Sequence, residues 1–168
     1  MHENAGKLIP ELSLWNNGHG ISLEGWISCI GRYDHAIGYA TLFWPDFVLY
    51  DDCVFVGEPN PKNYQEWMTQ CDGDKTGVEA VINHRHILDI FPSSVFPDSD
   101  FKPTKEIVIH MGRLLKDMWQ CKLQRDFPER RIKVEFAGDD PVDLLDYVIT
   151  VFHERGSCGE RKEDKSNH

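Results

Sequence analysis

The chain has 168 residues, 40% hydrophobic and 27% charged, with a formal net charge of −10. That length suits one domain, which can bury about two thirds of its unfolded surface and needs no covalent staple. The aromatic content excludes a disordered chain, and the excess of acid disfavours nucleic acid as a partner and favours a basic protein.

The charge is uneven: net −10 through Phe101, +5 over residues 102–133 and −5 beyond. The basic band reads as the solvated face of one helix and the turn after it. No apolar run approaches the roughly 20 residues that span a bilayer, so no membrane association is expected. The start of the chain carries no basic segment followed by an apolar one, so no leader is expected either. Cys29, Cys53, Cys71, Cys121 and Cys158 are odd in number and contain no Cys-x-x-Cys pair. They read as reduced thiols of a cytoplasmic protein, with Cys29 and Cys121 as small core residues.

Residues 1–20 read as a polar arm that Leu12, Leu14 and Trp15 dock onto the body. Residues 21–153 form the single globular domain, and 154–168 a flexible charged tail. Ser22 caps a helix to about Ile30, with Leu23, Trp26, Ile27 and Ile30 at helical spacing. Asp34 caps a second helix from His35 to about Phe43, which Pro45 stops. A strand over residues 37–43 is the alternative, because Gly38 weakens a helix. Residues 47–56 are extended and broken by Asp51 and Asp52. A loop at 57–61 leads into a short helix over 63–71, and Asp72-Gly73-Asp74 turns the chain. Residues 76–91 read as one helix, apolar nearly all round and hence buried.

Thr104 caps the longest helix, about 105–125. Its stripe is Ile107, Val108, Met111, Leu114, Leu115, Met118 and Trp119. Period two takes over at Arg131–Ala137, and Tyr147–Phe152 reads as a strand buried on both faces, paired antiparallel with the first. Helices followed by strands indicate an α+β fold, mostly helical, with a buried central helix and a small antiparallel sheet near the C-terminus.

His84-Arg85-His86 resembles a metal pair in composition. On a helix, however, residues two apart lie about 200° round the axis and face opposite ways; only a strand would bring them together. No His-x-x-x-His or Glu-x-x-His spacing occurs, so neither a metal nor any other cofactor is expected. Asp72–Gly77 has a glycine where a calcium loop needs one, but Asn83 stands where that loop needs its bidentate Glu. The segment reads as a turn with Asp74 or Thr76 as helix cap. Asp139, Asp140, Asp143 and Asp146 cluster before the last strand. Trp44, Asp46, Tyr50, Asp51 and Asp52 make an aromatic and acidic segment of the kind that anchors and steers a partner.

These features favour a binding protein that occludes a basic partner, as an immunity protein or antitoxin does. Its binding residues are then Trp44, Asp46, Tyr50, Asp51, Asp52, Asp139, Asp140, Asp143 and Asp146. The alternatives are a hydrolase centred on His35, His84, His110 and Asp34, and a structural subunit of a larger assembly.

Overall fold

The computed structural model describes residues 5–91, 102–137 and 143–155. The fold is α+β and mostly helical, with two small antiparallel sheets among the described residues. No helix among these residues is long and apolar enough to cross a membrane.

The arm contains α1 (Ala5–Leu8), a 3-10 turn (Pro10–Ser13) and the single turn α2 (Trp15–Gly18). Leu12 is its buried anchor. Glu11 accepts hydrogen bonds from the indole N–H of Trp15 and of Trp26, tying the arm to the helix that follows. That helix, α3 (Leu23–Ile30), starts where the Ser22 hydroxyl accepts from the Gly25 N–H. Next comes α4 (Tyr33–Phe43), a helix and not a strand. Its N-cap is Arg32; Asp34 lies in the first turn and pairs with the Arg32 guanidinium at 2.6 Å instead of capping.

Strands β1 (Phe47–Tyr50) and β2 (Cys53–Val56) form a hairpin with Tyr50 opposite Cys53. Asp51 and Asp52 are its two turn residues, at φ 48° and 62°. Positive φ at both positions suits the right-handed twist of the strands, and Asp tolerates it better than most residues. Helix α5 (Pro61–Gln70) is capped by Asn60, and α6 (Lys75–Ile82) by Asp74, whose carboxylate accepts from the Thr76 N–H.

The expected helix over 76–91 is half that length. It stops at Ile82, with Asn83 as C-cap. The chain then extends into β3 (Arg85–His86) and makes a 3-10 turn at Leu88–Ile90. The cause is tertiary. The Asn83 side chain is committed to backbone groups of two strands, and β3 finds partners on β5, with Arg85 opposite Ile149 and His86 opposite Val148.

Helix α7 (Lys105–Asp126) begins where the Thr104 hydroxyl accepts from the Ile107 N–H. Strands β4 (Ile132–Ala137) and β5 (Val148–His153) pair antiparallel, with Val134 opposite Val151. The three-stranded sheet has the order β3-β5-β4. The Gln120 amide accepts from the Val134 N–H and donates to the Ile132 carbonyl, so a side chain of α7 covers the outer edge of β4.

The main core lies between α7 and the sheet. Val108, Leu115, Trp119 and Leu123 from the helix meet Ile132, Val134, Ile149 and Val151 from the strands. Each such side chain contributes about 1.5–3 kcal/mol on burial. Gly112 is buried in the same helix face because the Phe136 ring lies against its backbone. A second cluster joins Cys53, Phe55, Tyr64 and Val78. Cys29 and Cys121 are exposed and not core residues, since each sits on the solvent side of its helix. Of the expected tail, Glu154 and Arg155 are held. The Glu154 N–H reaches the Arg131 carbonyl, and Arg155 reaches fully buried Glu79 at 2.7 Å. Asp139, Asp140, Cys158 and the rest of the tail lie outside the described residues.

Candidate functional site

Helix α4 projects from the body. Residues 33–41 are all exposed. Tyr33 is 93% and Ile37 69% accessible, and Ile27 and Ile30 of α3 are also exposed. The C-terminal end of α4 is nonetheless fixed, because the Trp119 indole N–H donates to the Leu42 carbonyl at 3.0 Å. An apolar spacing that ordinarily faces a core here faces water.

Behind this helix lies an apolar groove of about 530 Å³, lined by Trp26, Tyr39, Phe43, Leu88, Phe91 and Met111, among others. Tyr39 packs edge-on against Phe91, with ring centroids 5.7 Å apart, and His35 stands beside Tyr39. After the break at Ile82, Leu88 and Ile90 fall in a 3-10 turn and line this groove together with Ile107, Val108 and Met111 of α7. Exposed Glu24 lies on α3 and exposed Asp89 in the 3-10 turn at Leu88–Ile90.

The acidic-aromatic segment divides in two. Trp44 and Asp46 are exposed, whereas Tyr50 is half-buried against Tyr64 at 5.1 Å. Asp51 and Asp52 serve the fold. The Tyr64 hydroxyl donates to Asp51 at 2.7 Å, and Lys75 adds an ion pair; together they hold the Asp51 carboxyl below its ordinary range. Arg130 does the same for Asp52 at 2.7 Å. Burial and the Asp51 hydrogen bond push the Tyr64 hydroxyl well up. Asp143 caps the 3-10 turn at Leu144–Asp146 through the Leu145 N–H, and Asp146 lies in that turn.

Of the four candidate catalytic residues, Asp34 and His35 are neighbours on α4, and His84 and His110 lie on other segments. Asp34 is engaged with Arg32, and His35 rides on α4. His110 is half-buried in the second turn of α7. His84 opens onto a different groove, of about 760 Å³, between α6 and the outer face of β4 and β5, beside Lys116, Lys133, Glu135 and Thr150. Lys133 pairs with Glu135, which raises the Lys133 ammonium above its usual range. Burial, then His86 and Arg85, hold the His84 imidazole below its usual range. Since β3 is extended, the His84 and His86 rings share a side, with centroids 5.0 Å apart. The helical reading had placed them on opposite faces.

Sequence reasoning did not single out Glu79 or Asn83, the buried polar residues that organise the middle of the molecule. Their only signal was a pair of polar residues at i and i+4 in an apolar stretch. No family model, curated protein or solved structure matches the chain.

Proposed function

We propose that the chain is a protein-binding domain that seats α3, α4 and the groove behind them on a basic partner and occludes it, as an immunity protein or antitoxin does. The observation that carries this reading is α4: an 11-residue helix whose residues 33–41 are all exposed, with large apolar side chains among them. An exposed apolar patch flanked by polar residues is the usual mark of an interaction surface. Aromatic groups such as Tyr33, Tyr39 and Trp44 serve well as anchors in such an interface. The net charge of −10 steers basic partners, and Glu24 on α3 and Asp89 in the 3-10 turn supply acid on the elements of the patch.

The test is co-purification of the tagged protein from its native cells at low and high salt, beside a variant carrying Tyr33→Glu and Ile37→Glu. A stoichiometric basic protein that dissociates as salt rises, and that the variant fails to retain, supports the reading. Retention by the variant as strong as by the wild type overturns it. The same exposed face also favours a structural subunit. Association with a larger assembly that salt does not weaken, again lost in the variant, selects that second reading.

A further inference from the structure

We propose that His84 and His86 form a two-histidine chelate for a late first-row dication such as Zn²⁺ or Cu²⁺, with exchangeable ligands completing its coordination. Three observations carry this site, which is separate from the α3–α4 face.

The first is spacing. The imidazole centroids are 5.0 Å apart and the ring planes 80° to one another. A metal lies about 2.0–2.1 Å from a histidine nitrogen, so about 3.2 Å from a ring centre. Two centres 5.0 Å apart whose rings each turn a nitrogen to one metal subtend about 100° there, close to the tetrahedral angle zinc prefers.

The second is tautomer. His86 Nδ1 lies 2.6 Å from the Leu145 carbonyl oxygen. A carbonyl only accepts, so Nδ1 carries the proton and Nε2 presents its lone pair. A backbone carbonyl on the second ring nitrogen is the usual means by which a ligating histidine is oriented.

The third is support and access. His86 pairs with Val148 of the central strand, which holds the ligand backbone in place. His84 borders the groove of about 760 Å³. Among the described residues no three His, Cys, Asp or Glu side chains converge on one point. The protein thus contributes two ligands, and the groove can admit water or a small anionic ligand to the others. With imidazole donors only, Cu²⁺ binds more tightly than Zn²⁺.

The experiment is calorimetric titration of the full-length, untagged protein with Zn²⁺ and with Cu²⁺. The wild type, His84→Ala, His86→Ala and His110→Ala are compared. The expected result is one site, tighter for Cu²⁺. Either His84→Ala or His86→Ala should weaken it by at least the roughly tenfold that even an outer-shell loss causes. His110→Ala should leave it unchanged. A second measurement needs no variant: in the wild type, substoichiometric Cu²⁺ should broaden the imidazole NMR signals of His84 and His86 before those of the other histidines. Equal binding by the wild type and His86→Ala overturns the proposal, as does broadening that begins elsewhere.

Discussion

Glu79 on α6 and Asn83 one turn later bind the two sheets together where no strand ladder does. Strand β2 lies beside the second half of β5. The Glu79 carboxylate accepts from the Val54 N–H on β2 and from the His153 N–H on β5, at 2.7 and 2.9 Å. The Asn83 amide accepts from Val56 and donates to the carbonyls of Val54 and Val151, at 2.8–2.9 Å. Arg155 closes the arrangement on Glu79, and its other nitrogen donates to the Asp52 carbonyl.

Removing the Glu79 carboxylate leaves a largely buried guanidinium without its counter-ion and two strand N–H groups without partners. Glu79→Ala should therefore cost about 3–5 kcal/mol, the range for breaking a buried ion pair from one side. Asn83→Leu, which strands three backbone groups but no charge, should cost about 2 kcal/mol or more. Urea unfolding of both variants measures this. A Glu79→Ala loss below that of Asn83→Leu would contradict the assignment.

Two helix glycines should respond to alanine in opposite directions. A Cβ on Gly112 would stand 2.2 Å from the Phe136 ring. Gly112→Ala should thus cost about 1–3 kcal/mol, as overpacking does. A Cβ on Gly38 meets nothing within 4 Å. Gly38→Ala should stabilise α4 by about 0.5–1 kcal/mol through lower chain entropy and better helix propensity. Thermal denaturation separates the two signs.

Stability should fall with acid below neutrality. Burial, then the Arg155 and Arg130 guanidinium groups, hold the His153 imidazole below its ordinary value, outweighing the opposite pull of Glu79 and Asp52. A depressed folded-state pKa means that the fold prefers the neutral ring. The stability is complete above about pH 6.5, the unfolded value, and is lost as pH falls through the lower folded value. His153→Gln, neutral at every pH, should flatten the decline in urea midpoint between about pH 7 and pH 5. An unchanged slope would rule His153 out as its source.

Charge on the exposed helix should leave the fold intact. Ile37→Glu lies on a water-facing position of α4, so unfolding free energy should change by no more than about 0.5 kcal/mol. A partner that docks on this face should nevertheless be lost. A large drop in stability would mean that Ile37 packs against the body, and that α4 is not a free surface.

Local chemistry was legible in the chain. Ser22, Asp74 and Thr104 cap the helices that their positions announced, and the alternation of Ile132, Val134 and Phe136 marked β4. Such signals depend on neighbours a few residues away, and the sequence contains those neighbours. The register of residues 83–91 was not legible. Its apolar residues Ile87, Leu88, Ile90 and Phe91 fit a buried helix and a buried bend equally well.

By itself the sequence determined an acidic α+β domain, its capped helices and its last two strands. Only the tertiary structure decided which apolar stripes face a core. Ile27, Ile30 and Ile37 have helical spacing as regular as that of Leu115 and Trp119, yet α3 and α4 turn them to water while α7 turns the others to the sheet. The structure also decided that His84 and His86 stand together. That pairing follows from the carboxylate of Glu79, the amide of Asn83 and the backbone of β5. Together they stop α6 and extend the chain through long-range hydrogen bonds that no local pattern encodes.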